Sequence, residues 1–321
     1  MKIAMLGAGA VGGYFGSRMA AAGLDVSFLL RAESARSLRA SGLRVRSPCG
    51  DMHLPRPSVL ELGSSAPVPD ILFFACKAEH VRAAAEAAAP LVGPSTVAIP
   101  LQNGSDTPSA LRDVLGRESV LGGLSRIFAE RVTAGEISHT GLRPSITCGE
   151  LEGGLSDRVA KLADTFASVP GMSLDASDDI WTAMWIKLLA VCSIGSVGAA
   201  ARAPLGALLG VPATRELLLA AGEEIAAVGR AHGARIADGF VAAQVVRFER
   251  LPPEATASMH RDLERGEASE LDQQLGAVRR YGRQLDIGTP VLDALYAALL
   301  PGELRTRGKL SYQNVAPRSS R

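Results

Sequence analysis

The sequence predicts an α/β chain in two parts, an N-terminal doubly wound sheet domain over residues 1–172 and an all-helical C-terminal domain over residues 173–321. Two observations carry that prediction. Up to about residue 150, short apolar runs alternate with helical stretches, the pattern of a parallel sheet with helices on both faces. From about Leu155 onward, apolar residues recur at helical spacing with few β-branched runs. A chain of 321 residues is long enough for two domains that each bury a core.

The first element is a strand over 2–6, followed by Gly7-Ala8-Gly9-Ala10-Val11-Gly12, a helical stretch, a second strand over 26–30 and then Arg31. A strand feeding a G-x-G-x-x-G turn into a helix is the Rossmann-type dinucleotide fingerprint. Its glycines make the tight turn, let the backbone approach a pyrophosphate and bring helix and strand close together. Gly7, Gly9 and Gly12 are therefore candidate cofactor-binding residues. Where NAD-binding chains carry an acid for the ribose hydroxyls, this one has Arg31, whose guanidinium suits a 2′-phosphate. The expected cofactor is NADPH.

Further strands are expected over 43–45, 71–76, 96–101 and 119–122, with an alanine-rich helix over 80–89. Runs at 137–140 and 145–148 flank Gly141 and Pro144, and are expected to form an antiparallel hairpin closing the sheet domain. Helices are predicted over 157–167, 178–194, 215–232, 271–281 and 291–299, with a break at 286–290. The polar tail from residue 311, with Pro317, is expected to fray. In a two-part chain of this kind the active site is expected in the cleft between the domains.

Composition narrows the function classes. A net charge of +1 and 4% aromatic residues provide neither a basic face nor stacking platforms, so no nucleic-acid partner is expected. The four cysteines, Cys49, Cys76, Cys148 and Cys192, lie far apart without a C-x-x-C pair, which favours reduced thiols and a cytoplasmic setting. The apolar run after Lys2 is too short for a signal-peptide core, and the uncharged stretch 188–201 falls short of a bilayer span, so no membrane partner is expected. No His/Asp/Glu cluster has metal-ligand spacing, and no metal is expected. The helical part has room for a homodimer interface without demanding one.

Four more stretches could carry chemistry. Cys76-Lys77-Ala78 sits at the carboxyl end of a central strand, where open α/β sheets bind ligands; the plain alternative is a solvated strand-end lysine. Leu101-Gln102-Asn103-Gly104 ends the next strand, and an Asn-Gly turn alone would account for it. Lys187 is the single charge between Asp179 and Arg202 on an apolar helix. An unpaired cation there is expensive to bury, unless its stem snorkels to the surface. Last come Ser258-Met259-His260-Arg261-Asp262 and the stretch from Gly266 to Asp272. Ser269 there resembles a helix N-cap that would put Glu270 in the first turn.

Together, GAGAVGGYFG, Arg31, the CKA and LQNG strand ends, the W-x-K-L helix entry and SM-x-x-D…G-x-x-x-E-x-D resemble the ketopantoate reductase (2-dehydropantoate 2-reductase) family over nearly the whole chain. The resemblance implies NADPH-dependent reduction of a 2-keto acid to a 2-hydroxy acid. Carried onto this sequence, it makes Lys187 the general acid. Lys77 and Asn103 become residues near the nicotinamide and the carbonyl, with Ser258 and Glu270 holding the substrate's polar end and the nicotinamide-side network. Glu270 thus joins Lys187 as a catalytic candidate. His139 receives no role.

One departure stands out. The family's lysine helix usually carries asparagines four and eight residues on, on the lysine's face; here those positions are Val191 and Gly195. Ser193 and Ser196 are rotated off that face. Losing both amides is expected to weaken recognition of ketopantoate and leave a roomier, less polar pocket. A less polar keto acid, a related dehydrogenase working oxidatively and a non-catalytic NADPH-binding regulator are the alternative readings.

Overall fold

A computed structural model describes residues 1–311, apart from the side chain of Leu142. It forms two compact units, the first running from Met1 to Met184 and the second beginning at Trp185.

The first unit contains β1 (Lys2–Leu6), α1 (Ala10–Ala21), β2 (Asp25–Leu30), α2 (Ala32–Ser41), β3 (Leu43–Arg46), β4 (Met52–Leu54), β5 (Ser58–Glu61), β6 (Ile71–Phe74), α3 (Val81–Ala88), β7 (Val97–Pro100), α4 (Thr107–Leu115), β8 (Gly122–Thr133), β9 (Glu136–Gly149), α5 (Asp157–Phe166) and β10 (Ser173–Ser177). Five of these strands make an all-parallel sheet in the order β5-β2-β1-β6-β7. Its central strands are continuous apolar runs because both faces are covered: all four residues of β6 and four of the five in β1 are buried. One face shares a core with Phe15, Phe28, Phe73 and Phe166, and the other with Leu72, Phe74, Ala85 and Leu111. This is the Rossmann-like sheet that the opening motif predicts.

A second sheet is organised around β9. Along one edge it pairs antiparallel with β8; along the other its start pairs parallel with β3 and its end parallel with β10. Three expectations need correction here. The runs at 137–140 and 145–148 are not the arms of a hairpin but parts of the single strand β9. The hairpin is β8–β9, turning at Ala134-Gly135, where Gly135 has φ +78°. Gly141 and Pro144 fall where the register slips from Arg126↔Ser145 to Phe128↔Thr140, so they mark a bulge rather than a turn. A bulge and a turn use the same residues, which is why the sequence could not separate them. The expected strand 119–122 reduces to one bridge, Ala98↔Val120, and β8 begins only at Gly122. The sheet also continues past residue 172, because β10 pairs with β9.

The second unit is helical: α6 (Ile180–Ala201, which starts in the first unit), α7 (Leu205–Gly210), α8 (Pro212–Ala231), α9 (Phe240–Phe248), α10 (Ser258–Arg265), α11 (Ala277–Gln284) and α12 (Pro290–Thr306). The expected helix 271–281 is broken up: residues Asp272–Gly276 form a π-helical turn before α11. Helix α6 runs to residue 201, seven beyond its predicted end. At 22 residues it is long and apolar enough to cross a bilayer, longer than the uncharged stretch suggested, but 56% of its most apolar window is buried within the protein. Trp185 on α6 meets the rings of His232 and Tyr281 at 5.5 and 5.8 Å between centroids. Glu224 of α8 accepts from the backbone N–H groups of Val291 and Leu292, both at 2.9 Å, capping the start of α12. The tail beyond residue 311, expected to fray, lies outside the described residues.

Candidate active site

In the first unit, four strand ends come together. The order β5-β2-β1-β6-β7 puts the topological switch point between β1 and β6, the place where such sheets bind ligands. Gly7 follows β1 with φ +107°, and a Cβ on it would lie 2.9 Å from the Ala75 carbonyl carbon. At Gly12 a Cβ would lie 2.1 Å from the Gly7 oxygen and 2.8 Å from the Ala75 Cβ, so helix and strand approach as closely as a glycine allows. A Cβ at Gly9, by contrast, would meet nothing within 4 Å. No side chain caps the start of α1, and no acid sits in its first turn. Two glycines close the turn while the third faces open space at a helix start that no side chain caps. That cradle fits a dinucleotide pyrophosphate.

Arg31 follows β2 and occupies the N-cap position of α2 with an exposed side chain. Lys77, exposed, and Asn103, half-buried, follow β6 and β7. Gln102 is a residue the sequence reading passed over. It is 7% exposed, and its Nε2 donates to the Phe74 and Cys76 carbonyls at 2.8 and 2.9 Å, tying the loop that carries Asn103 to the one that carries Lys77. Its position inside LQNG was the available signal. Ser125 adds a 3.0 Å bond to the Leu101 carbonyl.

In the second unit, Lys187 is half-buried on α6, with Val191 and Gly195 one and two turns on along the same face. The expected extra room at Gly195 is filled: a Cβ there would lie 2.9 Å from Met259 Cε and 3.3 Å from Ala257 Cβ. That contact brings the start of α10, with exposed Ser258, against the lysine-bearing helix. Ser193 donates back to the Leu189 carbonyl and Ser196 to that of Ser193, so both hydroxyls are tied to their own helix.

Glu270 is half-buried just before the π-helical turn; its Oε2 accepts from Gln274 Nε2 at 3.2 Å and its carbonyl from Gln274 N at 2.9 Å. Ser269 Oγ does accept a local N–H, from Leu271 at 3.2 Å, but it also donates to the buried Glu303 carboxylate at 2.7 Å. Glu303 gave no signal in the sequence. His139 is buried, hydrogen-bonds to Ser47 Oγ at 2.8 Å and lies against the Tyr14 ring. None of the four cysteines is in a disulfide, and burial pushes the Cys148 and Cys192 thiols up to about 12, leaving them protonated.

The chain matches two family models, ketopantoate reductase PanE/ApbA over residues 3–153 and its C-terminal domain over residues 179–303. It is 30% identical to a 2-dehydropantoate 2-reductase of Mesorhizobium japonicum, covering 92% of this chain and 96% of the relative. An uncharacterized oxidoreductase of Bacillus subtilis is 29% identical, over 93% and 98% of the two chains. The crystal structure of 2-dehydropantoate 2-reductase from Geobacter metallireducens superposes with a TM-score of 0.86 at 29% identity, covering 94% of this chain and 99% of that one.

Proposed function

The chain belongs to the ketopantoate reductase family of oxidoreductases, and from that premise we propose that it reduces a 2-keto acid to a 2-hydroxy acid with NADPH, ketopantoate to pantoate being the first candidate reaction. The observation that carries this reading is the cradle of Gly7, Gly9 and Gly12 with Arg31 at the end of the neighbouring strand. When bound, NADPH supplies the hydride. Arg31 recognises the 2′-phosphate by charge-assisted hydrogen bonds, and the glycines let main-chain N–H groups reach the pyrophosphate. Lys77 and Asn103, held in register by Gln102, hold the nicotinamide side and the substrate carbonyl. Ser258 takes the substrate's polar end. Lys187 polarises the ketone through its ammonium group and passes a proton to the carbonyl oxygen, while Glu270 orients this polar network. The same reading places the protein among cytoplasmic metabolic enzymes with a small-molecule partner, as a monomer or homodimer.

A second reading concerns the substrate. Val191 and Gly195 offer no side-chain donor, Met259 covers Gly195, and Ser193 and Ser196 are tied to their own helix. A 2-keto acid less polar than ketopantoate suits that helix face better. The test is the rate of NADPH oxidation with ketopantoate beside a panel of bulkier, less polar 2-keto acids. Saturable turnover of ketopantoate by a wide margin supports the family's usual reaction, and turnover confined to the other acids supports the less polar substrate. Tight NADPH binding without turnover of any acid would favour the non-catalytic regulator.

A further inference from the structure

Glu303 lies on α12, far in sequence from every residue named in the site, yet it is 4% exposed and spends its carboxylate on one turn. Both its oxygens accept from Ser269 N at 3.2 Å, and Oε2 also accepts from Ser269 Oγ at 2.7 Å. Arg307, one helical turn on, donates its Nε to Oε1 of Glu303 and an NH2 hydrogen to the Ser269 carbonyl at 2.8 Å. The N–H, the hydroxyl and the carbonyl of Ser269 are thus all claimed by one ion pair. The hydroxyl in turn accepts from Leu271 N at 3.2 Å. Between these two fixed points sits Glu270, followed by the π-helical turn of Asp272–Gly276.

A buried carboxylate is costly unless it is paired and fully hydrogen-bonded. A helix could be packed against a loop so far upstream with ordinary apolar contacts, so stability alone does not call for this arrangement. Single π-turns recur at functional sites, where they re-aim a side chain at the expense of regular hydrogen bonding. We propose that the Glu303–Arg307 pair is a positioning latch for Glu270: it locks the Ser269 backbone and thereby sets the direction in which the Glu270 carboxylate is presented. Glu303 touches neither substrate nor cofactor in this role and acts through Glu270. The proposal rests on the part assigned to Glu270 under the proposed function.

The test is a double-mutant cycle on the full-length enzyme, using Glu303→Gln, Glu270→Gln and the pair together. NADPH oxidation is followed with the best 2-keto acid of the panel, and thermal unfolding is recorded for each variant. Glu303→Gln keeps the side chain's size but turns an amide toward Arg307. The expected result is a loss of about tenfold or more in kcat, the range seen when an outer-shell partner is removed. The double variant should be no slower than Glu270→Gln, because residues acting through one group are not additive. A purely structural Glu303 would lower the unfolding temperature and leave kcat unchanged, or would multiply its loss onto that of Glu270→Gln; either result overturns the latch. Ser269→Ala, which removes one donor and leaves the backbone bonds, gives the same cycle in a milder form should Glu303→Gln fail to fold. Full activity in Glu270→Gln would instead overturn the role of Glu270 itself.

Discussion

Lys187 is the only cation on the apolar length of α6, and the general-acid role proposed for it requires that it release a proton. Lys187→Ala should therefore lower kcat by about a hundredfold or more, the usual scale for losing a general acid, with NADPH affinity unchanged. Lys187→Arg should not restore the rate, because a guanidinium keeps its proton. Steady-state kinetics together with an NADPH titration distinguish this from a lysine that only shapes the helix, for which arginine would be an adequate replacement. Arg31 makes the complementary case for binding. It stands exposed at the N-cap of α2, so its removal disturbs little packing. Arg31→Ala should weaken NADPH by about tenfold or more, the worth of a hydrogen bond to a charged group, and NADH much less. Equal loss for the two cofactors would show that Arg31 does not read the 2′-phosphate.

At the scale of elements, the βαβ unit depends on contacts that admit no side chain. In Gly12→Ala the new methyl would lie 2.1 Å from the Gly7 carbonyl oxygen, which is backbone and cannot rotate away. The turn would have to open, and both stability and NADPH affinity should fall together, measurable by thermal unfolding with and without cofactor. Gly9→Ala meets nothing within 4 Å, so it should leave the fold intact and weaken only the cofactor. This pair of positions also shows what was legible in the sequence. The strand–helix alternation and the glycine turn after β1 follow local rules, and the structure forms the Rossmann-like sheet that those rules require. The β8–β9 hairpin was misread because Gly141 and Pro144 satisfy a bulge as well as a turn, and only the partner strand distinguishes the two. Gln102 and Glu303 were passed over for a different reason. Each acts across 26 or more residues of sequence, on a carbonyl or an N–H that carries no signature of its own. The filling of Gly195 by Met259 belongs to the same class: a one-residue deletion of side chain reads as empty space until the neighbouring helix is known.

For the whole molecule, the two units carry different acid-sensitive groups, and the signs of their shifts predict where stability is lost. In the second unit His260 is buried, neither ring nitrogen has a hydrogen-bond partner among the described residues, and the Glu264 carboxylate is 3.9 Å away. Burial lowers its pKa from the ordinary 6.5, outweighing the attraction of Glu264. The unfolded chain therefore binds a proton here more readily than the folded one. The contribution is fully present above about pH 6.5 and is lost as the pH falls below that value. In the first unit Arg158 holds Glu150 below its ordinary 4.5, and Arg112 and then Arg117 hold Glu152 down to about 2. Those carboxylates contribute stability above their unfolded pKa and lose it only as the pH falls below 4.5, for Glu152 toward about 2. Glu152 is largely exposed, so solvent screening keeps its share small, and the Glu150–Arg158 pair should dominate. Unfolding temperatures followed from neutral pH downward should accordingly decline in two stages. His260→Gln, which cannot titrate, should flatten the first stage and leave the second. Arg158→Met should lower stability at neutral pH and flatten the second. A first stage that persists in His260→Gln would assign it to a group other than this buried imidazole.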